Sequence, residues 1–337
     1  MKTAYLAGQK HALEEHGLAT DEIAAAGRRV GEVIEQQLHK AIENLRDVNA
    51  EWLKKGLALA YEHTPRAMAL LEGIAAGAGV PFDQAFSVWY EELRDAKPKR
   101  EMRDTGCTDI AVRVGADVFI AHTNDEDPGE GSELVPIEVA GLPKLTVAFT
   151  GGRPSIAVNS AGIVFSGNQV DSTDVRPGVP RVLLYVEALW SRSIDEAAKT
   201  LLHPQRSSSY HNLLSDEHGS VVGYEASAKK AVVLTPHNGL LVHSNHYVGI
   251  PEVEGREGKW FDKSVDRLHR AYDEIKALGP DVTPQGLVKI MSTHDEGGLC
   301  RHGETETTFS VVFKPTARTF WYAHGNPCTG EYRQYHY

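Results

Sequence analysis

Short β-rich runs separated by turn residues fill most of the chain after residue 108, and they restrict the folds that it can adopt. Eleven such runs are predicted over residues 109–114, 118–122, 145–150, 156–158, 163–166, 212–215, 220–225, 231–235, 240–243, 307–313 and 319–323. Helical patterns interrupt them over 182–202, over 260–278 and in a shorter stretch after Thr283. This order lacks the strand–helix alternation of a doubly wound fold. The sequence therefore predicts an α+β fold in which helices cover antiparallel sheets.

The first hundred residues have a different pattern, because apolar positions recur every three to four residues between 21 and 63. That spacing predicts one amphipathic helix, which is capped at Thr20 and ended by the Thr64-Pro65 pair. A second helix is predicted over 66–76, and a third begins at Pro81 and continues to about residue 94.

The charge balance makes two classes of partner improbable on physical grounds. The 337 residues include 35 Lys plus Arg against 46 Asp plus Glu, a net charge of −11, with no cluster of basic residues. Neither nucleic acid nor an anionic membrane is therefore an expected partner. No apolar run reaches the roughly 18 residues that cross a bilayer, and the polar N-terminus lacks the apolar stretch of a secretory signal. Three cysteines without a CxxC pair indicate a reducing compartment, so a cytoplasmic location is expected.

Cys107 is the residue that most suggests chemistry, because it follows Gly106 where a charged, exposed connection over 97–101 leads towards the first strand. A lone cysteine is commonly just a small buried apolar residue. Here, however, Gly106 leaves the carbonyl that precedes Cys107 uncrowded and tolerates strained torsions, which favours attack by the thiol. We therefore interpret Cys107 as a candidate nucleophile.

Two later segments supply polar partners for this nucleophile. If residues 112–119 form a hairpin, the end of the second strand returns beside Cys107 and brings Asn124 and Asp125 with it. A later apolar strand ends shortly before Asn245, whose amide NH2 can donate a hydrogen bond to a developing oxyanion. The sequence thus predicts that these segments converge on the thiol.

Eight short motifs follow one another from about residue 60 to the C-terminus. They are residues 72–80, Gly106-Cys107-Thr108, Asn124-Asp125, residues 159–162, Gly167-Asn168, His243-Ser244-Asn245-His246, Cys300-Arg301-His302 and Gly325-Asn326-Pro327-Cys328. The ordered set resembles the isopenicillin N acyltransferase (acyl-CoA:6-aminopenicillanate acyltransferase) family of N-terminal nucleophile (Ntn) hydrolases.

This resemblance implies a four-layer αββα sandwich, in which helical layers enclose two antiparallel sheets, and it also implies self-cleavage. The family's precursor cuts itself between glycine and cysteine, so the cut here is expected between Gly106 and Cys107. It would produce a helical α fragment, residues 1–106, and a β fragment, residues 107–337, which stay together as one domain. The freed α-amine of Cys107 would then act as the base for its own thiol.

The substrates that the resemblance implies are small N-acyl compounds, whose amide or thioester bond the thiol attacks to give an acyl-cysteine. Acyl-CoA is a further candidate partner, and no cofactor is expected. The resemblance assigns Asn245 to the oxyanion and Asp125 to orienting the amine of Cys107. Three further residues, expected to support the substrate or the oxyanion, are Asn168, Asn124 and His246.

Other interpretations remain open at this point. Asn326 departs from the family pattern, because the penicillin-forming enzyme has an arginine there, so penicillin synthesis is not carried over. The chain could be a plain amidase without transferase activity, or a catalytically silent scaffold with the same fold. Asp125 and Asn168 could each be an ordinary turn residue.

A metal site is not predicted from the sequence. His243 and His246 have a spacing that places them on opposite faces of a strand. Cys300 and His302, with His294 nearby, do not complete a zinc pattern of four properly spaced ligands.

Overall fold

Thirteen strands form two antiparallel sheets in the computed structural model, which describes residues 20–45, 49–90, 92, 106–279, 282–295 and 297–337. Along the chain the strands are β1 Gly106–Val114, β2 Asp117–Glu126, β3 Ser132–Ile137, β4 Leu145–Thr150, β5 Arg153–Asn159, β6 Val164–Asn168, β7 His211–Ser215, β8 Val221–Ala226, β9 Ala231–Leu234, β10 Leu240–His243, β11 Glu306–Lys314, β12 Thr319–His324 and β13 Arg333–His336. The six-stranded sheet has the order β10-β1-β2-β11-β12-β13, and the seven-stranded sheet runs consecutively from β3 to β9.

Nine α-helices lie in the described part of the chain, five before the sheets and four between strands. They are α1 Thr20–Val33, α2 Glu35–Glu43, α3 Ala50–His63, α4 Pro65–Gly77, α5 Phe82–Trp89, α6 Arg181–Ala188, α7 Ile194–Leu201, α8 Lys259–Leu278 and α9 Pro284–Met291. None of the helices in these described segments combines the length and the apolar composition needed to cross a bilayer.

Three apolar clusters show how these elements are layered. One lies between the two sheets, where residues such as Ile120 and Val311 meet Val158 and Leu213. A second joins the outer face of the seven-stranded sheet to helices α1–α7, and a third joins the outer face of the six-stranded sheet to α8 and α9. The order of layers is therefore helix, sheet, sheet, helix, which confirms the predicted four-layer α+β sandwich.

The hairpin predicted around residues 115–117 is present and brings the ends of β1 and β2 together. Gly115, with φ of +60°, supplies the left-handed torsion that the two-residue connection requires. The antiparallel register pairs Gly106 with Asp125 and Cys107 with Asn124. A local turn rule thus correctly predicts a contact between residues almost twenty positions apart.

Two helices predicted as continuous are interrupted, so those predictions were wrong. The range 21–63 forms α1, α2 and α3, and Asn49 begins the last of these by accepting hydrogen bonds from the backbone nitrogens of Glu51 and Trp52. The range 182–202 forms α6 and α7, and Ser193 caps α7 through the backbone nitrogen of Glu196. The apolar residues keep their helical spacing across both breaks, so this spacing does not reveal where one helix ends. The capping residues Asn49 and Ser193 are the local signals that a new helix begins.

The remaining boundaries agree more closely with the sequence. Helix α4 covers the predicted range 66–76 and α5 begins where expected. Helix α5 ends at Trp89, short of residue 94; residues 91 and 93–94 lie outside the described residues, as does the predicted exposed connection at 97–101.

Two strands, β3 and β13, were missed by the sequence analysis. Both lie at the edge of a sheet. Pro136 interrupts the β-pattern of the first, and edge strands tolerate proline because one side needs no backbone donor. The second is Arg-Gln-Tyr-His and largely exposed, so it carries none of the alternation that marks a half-buried strand.

Glycines allow α1 and α4 to approach closely, and this contact yields a stability prediction. A Cβ added at Gly73 would lie 2.1 Å from the backbone oxygen of Ala24. In a helix free of such contacts, a Gly→Ala substitution raises the free energy of unfolding by about 1 kcal/mol. We expect Gly73→Ala instead to lower the free energy of unfolding by about 1–3 kcal/mol, because the helices must separate. Chemical denaturation measures the change, and a stabilised variant would contradict the packing argument.

Candidate active site

Three elements meet at the first residues of β1. This strand lies inside the six-stranded sheet, between β2 and β10. Asn124 and Asp125 therefore lie directly across the ladder from Cys107 and Gly106. On the other side Asp109 pairs with His243, the last residue of β10, so the chain that follows β10 passes beside the beginning of β1. The predicted convergence of the segments around Asn124, Asp125 and Asn245 on Cys107 is present.

Cys107 contacts neighbouring side chains through its thiol and through its backbone nitrogen. The backbone nitrogen donates a hydrogen bond to Oδ1 of Asn245 at 2.9 Å. The thiol, which is half-buried, donates to Oδ1 of Asn124 over 3.6 Å. In both contacts the acceptor is a side-chain oxygen of an asparagine that is distant in sequence. The geometry around Cys107 therefore depends on how these two segments fold against it.

Asn245 is oriented by contacts on every side of its amide. Its backbone nitrogen donates to Oγ of Ser264 at 2.8 Å, and its Nδ2 donates to the carbonyl of Gln169 at 2.9 Å. Oδ1 is thereby directed at the nitrogen of Cys107. From the sequence, the NH2 group of Asn245 was expected to donate to an oxyanion. In the structure one of its two N–H groups donates to Gln169, and the amide oxygen accepts from the backbone nitrogen of Cys107.

Arg267 is a site residue that the sequence analysis missed. Its Nη1 donates to the carbonyl of Cys107 at 2.6 Å, and its Nη2 donates to Oδ1 of Asn245 at 2.7 Å. The residue lies on α8, whose buried positions are Ser264, Arg267, Ala271 and Ile275. The spacing of Arg267 from Ser264, Ala271 and Ile275 places it on the buried face of the helix, and this spacing could have identified it from the sequence. Because α8 contains many other charged residues, Arg267 is easily mistaken for an exposed one.

Gly106 is enclosed by the same groups. A Cβ at this position would lie 2.6 Å from Nη2 of Arg267 and 2.9 Å from Oδ1 of Asn245. Since both atoms are fixed by hydrogen bonds, a side chain at residue 106 would displace the network around Cys107. The requirement for glycine here is therefore one of space, in addition to the torsional freedom considered from the sequence.

Asp125 is buried next to this network and contacts residues of the neighbouring strand. Its Oδ1 accepts a hydrogen bond from Oγ1 of Thr307 at 2.8 Å, and its Oδ2 lies 3.9 Å from Nε of Arg301. The backbone nitrogen of Cys107 donates to Asn245. Asp125 was expected to orient that nitrogen, and Asn245 is a second candidate for this role.

Burial raises the pKa of the Cys107 thiol, and the nearby carboxylates of Asp125, Glu126 and Asp109 raise it further; the guanidinium of Arg267 opposes them. Burial also lowers the pKa of Arg267 to about 10, which leaves it charged at neutral pH. The thiol of the uncut chain is therefore protonated near pH 7, and a base must remove its proton before it can act as a nucleophile.

Substitution of Arg267 tests this electrostatic balance. We expect Arg267→Met to slow alkylation of Cys107 at fixed pH by about tenfold, since removing the cation raises the pKa of the thiol. Stability should fall by about 3 kcal/mol because the carbonyl of Cys107 loses its donor. Arg267→Lys should preserve most of the reactivity. Arg270→Met, on the same helix with surface ion pairs, is the control, and equal slowing in that variant would refute the local effect.

The thiol opens into a cleft between β5, β6 and α6. Polar groups dominate the wall nearest Cys107, including Glu126, Arg153 and Ser155. Burial raises the pKa of Glu126. The cleft adjoins a second one, and the residues that line both are Pro154, Ser155, Gly167, Val182 and Tyr210. At the far end the guanidinium of Arg181 stacks 3.5 Å from the ring centroid of Tyr210.

Two predicted supporting residues lie away from the walls of this cleft. Asn168 ends β6, and its Oδ1 accepts from Nδ1 of His211 at 3.0 Å, while its neighbours Gly167 and Gln169 line the cleft. His246 contacts Ser264 through Nδ1 at 2.8 Å, and burial lowers its pKa to about 4. Ser264 also accepts a hydrogen bond from the backbone nitrogen of Asn245. His246 is therefore linked to the site through Ser264 and Asn245 and does not contact the thiol through this hydrogen bond.

Asn326, the departure from the family pattern, serves a nearby loop. Its Nδ2 donates to the carbonyl of Arg301 at 2.6 Å. Arg301 in turn faces Asp125. The amide at position 326 thus contributes to holding the backbone behind Asp125, and it is absent from the residues that line the described cleft.

Comparison with known proteins gives one family and a distant structural likeness. The family described as "Acyl-coenzyme A:6-aminopenicillanic acid acyl-transferase" matches residues 113–329, a shorter range than the resemblance from about residue 60, and one that begins after Cys107. No curated protein matches. Two solved structures of mutants of a conjugated bile acid hydrolase from Clostridium perfringens are each 12% identical to this chain with a TM-score of 0.42, and each match covers 68% of this chain and 97% of the other.

Proposed function

Because this chain belongs to the acyl-coenzyme A:6-aminopenicillanic acid acyl-transferase family, we propose that it is a self-processing Ntn cysteine enzyme that hydrolyses or transfers small acyl groups. Family membership supports a hydrolase or acyltransferase of the Ntn kind in general. The observation that carries the finer proposal is the contact of 2.9 Å between the backbone nitrogen of Cys107 and Oδ1 of Asn245 beside the cleft. A nitrogen that is to become a free amine is already held next to its own thiol.

The proposed maturation is an N-to-S acyl shift followed by hydrolysis. The sulfur of Cys107 attacks the carbonyl carbon of Gly106, the C–N bond breaks, and the nitrogen takes up the proton that the thiol gives up. Water then cleaves the resulting thioester and leaves a carboxylate on Gly106 and a free thiol and α-amine on Cys107. Because Gly106 has no side chain, Nη2 of Arg267 and Oδ1 of Asn245 can lie close to the peptide bond that is to be cut.

The two fragments, residues 1–106 and 107–337, would remain associated after the cut. Helices α1–α5 belong to the first fragment, and they share one apolar cluster with the outer face of the seven-stranded sheet, which belongs to the second. Residues buried completely in this cluster include Ile23 and Leu71 on one side and Val147 and Phe165 on the other. Separation would expose all of this surface to water.

In turnover the new α-amine acts as the base. Its unperturbed pKa of about 7.7–8.0 suits proton transfer near neutral pH. It removes the thiol proton, and the thiolate attacks the acyl carbonyl of the substrate. The second N–H of the Asn245 amide is the proposed donor to the oxyanion, and Asp125 contributes its charge close to the amine. The leaving group takes the proton from the ammonium, and the acyl-cysteine passes its acyl group to water or to an amine.

The proposed substrates are small N-acyl compounds, with acyl-CoA as a second candidate acyl donor. The polar wall at Glu126, Arg153 and Ser155 favours a substrate with hydrogen-bonding groups near the scissile bond. Arg153 places a positive charge on that wall, where it opposes the burial that raises the pKa of the neighbouring Glu126. A plain amidase would use the same site and differ only in how poorly it accepts an amine at the second step.

Intact-mass measurement of the purified chain tests the maturation. Two fragments, one ending at Gly106 and one beginning at Cys107, are expected after purification or incubation at neutral pH. A single uncut chain whose Cys107 does not react with thiol reagents would favour the scaffold alternative. With processed protein, a panel of N-acyl substrates in the presence and absence of an added amine then measures how the acyl-enzyme divides between hydrolysis and transfer.

A further inference from the structure

Four side chains with sulfur or nitrogen donor atoms lie outside the cleft, on two separate connections of the chain. Cys300 and His302 lie between α9 and β11, Cys328 follows β12, and His294 follows α9. We call these four residues the thiol–imidazole cluster. None of them lines the described cleft, and the proposed acyl chemistry uses none of them.

The donor atoms of three members form a nearly equilateral triangle. Sγ of Cys300 lies 3.5 Å from Sγ of Cys328. Nε2 of His302 lies 3.3 Å from the first sulfur and 3.4 Å from the second. Ligand atoms of His294, His302 and Cys328 all lie within 4.8 Å of one another. His302 and Cys328 belong to both sets of three, so Cys300 and His294 each lie close to the same two donor atoms.

These distances agree with those expected around a zinc ion. With Zn–S bonds of about 2.3 Å and Zn–N bonds of about 2.0–2.1 Å, a regular tetrahedron separates two sulfurs by about 3.8 Å and a sulfur from a nitrogen by about 3.5 Å. The three distances of the triangle are each within about 0.3 Å of these values. His294 is exposed, and its ligand atom lies within 4.8 Å of those of His302 and Cys328, so it is the candidate for the fourth corner.

A backbone contact also prepares His294 for this task. Its Nδ1 lies 3.1 Å from the carbonyl oxygen of Ser292, to which it can donate. A proton on Nδ1 leaves the lone pair on Nε2, and metal-binding histidines usually have their second nitrogen fixed by a carbonyl or carboxylate in this way.

We propose that the thiol–imidazole cluster is a binding site for a thiophilic divalent cation, with Zn²⁺ as the first candidate. Two thiolates and two imidazoles in tetrahedral arrangement are a donor set typical of zinc. Each thiol gives its proton to solvent when its sulfur coordinates the metal, so both sulfurs bind as thiolates. All four positions are taken by protein, which makes the site structural.

A disulfide between Cys300 and Cys328 is the main alternative. It requires the sulfurs to approach from 3.5 Å to about 2.05 Å, and it requires an oxidant. It also gives no reason for the imidazole of His302 to lie at nearly equal distances from both sulfurs. The metal site accounts for all three contacts together.

The position of the cluster indicates what a bound metal would hold. Arg301 lies between two of the ligands, and its guanidinium faces Asp125, with Nε 3.9 Å from Oδ2. Asn326, two residues before Cys328, fixes the carbonyl of Arg301. A metal would therefore join the loop before β11 to the turn after β12 and keep Arg301 in place behind Asp125. The sequence spacing did not reveal this because Cys328 follows His302 by 26 positions.

Titration of the full chain with cobalt and zinc tests the proposal. The protein is purified under reducing conditions, stripped with a chelator and titrated with Co²⁺. We expect visible bands of a tetrahedral ion and a near-ultraviolet thiolate-to-cobalt band, both saturating at one equivalent and abolished by one equivalent of Zn²⁺. Absence of these bands in the folded wild-type chain would overturn the proposal without the need for any variant.

Variants assign the ligands. His302→Ala, which alters an exposed side chain, and Cys328→Ser should each weaken Zn²⁺ binding at least a hundredfold. Cys107→Ala and His269→Ala, which change a cysteine and an exposed histidine outside the cluster, should bind as the wild type does. Equal binding by His302→Ala, or a mass two hydrogens lower that reveals a Cys300–Cys328 disulfide in the reduced preparation, would refute the site. Metal content is read independently of turnover, so the outcome is separable from that for the proposed acyl chemistry.

Discussion

Cys107→Ala is expected to yield a single uncut chain that lacks activity. The substitution removes the sulfur that would attack the carbonyl of Gly106, and it leaves the backbone contact to Asn245 in place because that contact uses only the main-chain nitrogen. Loss of a nucleophile lowers turnover by factors on the order of 10⁶. Intact mass reports the first effect, and hydrolysis of an N-acyl substrate accepted by the wild type reports the second.

Cys107→Ser is the graded comparison. A hydroxyl can still attack the neighbouring carbonyl within one chain, where proximity compensates for a weaker nucleophile. This variant should therefore process slowly and turn over poorly. If Cys107→Ala were cut between residues 106 and 107 at the wild-type rate, or if it hydrolysed substrate normally, the cysteine would not be the nucleophile and the proposed function would fail.

Asn245→Ala and Asn245→Asp together should separate the two tasks of this amide. Alanine removes the acceptor for the nitrogen of Cys107 and the oxyanion donor, so both self-cleavage and turnover should fall, the latter by about 10²–10³. Aspartate keeps an oxygen that can accept from Cys107 and Arg267 but has no N–H. We expect Asn245→Asp to process while its kcat falls nearly as far as in the alanine variant.

Intact mass follows processing and steady-state kinetics follow kcat in these variants. Gln334→Ala, on the exposed edge strand β13, controls for general effects of substitution. Full turnover by Asn245→Asp would remove the oxyanion role. Unimpaired cleavage of Asn245→Ala would remove the positioning role, and the contact at 2.9 Å would then be incidental.

The topology near the site was largely predictable because it follows from local rules. A two-residue turn at 115–116 and the alternation of β-residues suffice to place Asn124 opposite Cys107. The orientation of the Asn245 amide was not predictable. It depends on Ser264 and Gln169, which are distant in sequence, and an isolated sequence does not tell which end of an amide will face a neighbour.

Arg267 illustrates a second kind of limit. Its guanidinium is almost completely buried although it lies on a helix with many charged residues. Burial of a guanidinium is costly unless its N–H groups are satisfied, so its position makes sense only once the carbonyl of Cys107 and the amide of Asn245 are known to be its partners. Pairing of that kind is a property of the assembled structure.

The hydrogen bond that ties Cys107 to Asn245 joins residues 138 positions apart, so it can exist only after β10 has paired with β1, and its acceptor is oriented only once Ser264 on α8 and Gln169 after β6 are in place. If that bond aligns the scissile peptide, cleavage will lag behind folding and will never precede it. The proportion of severed to intact molecules in a cell extract would then be a permanent covalent record of how many chains reached the native state. Destabilising substitutions far from the thiol could be ranked by that proportion on an ordinary gel.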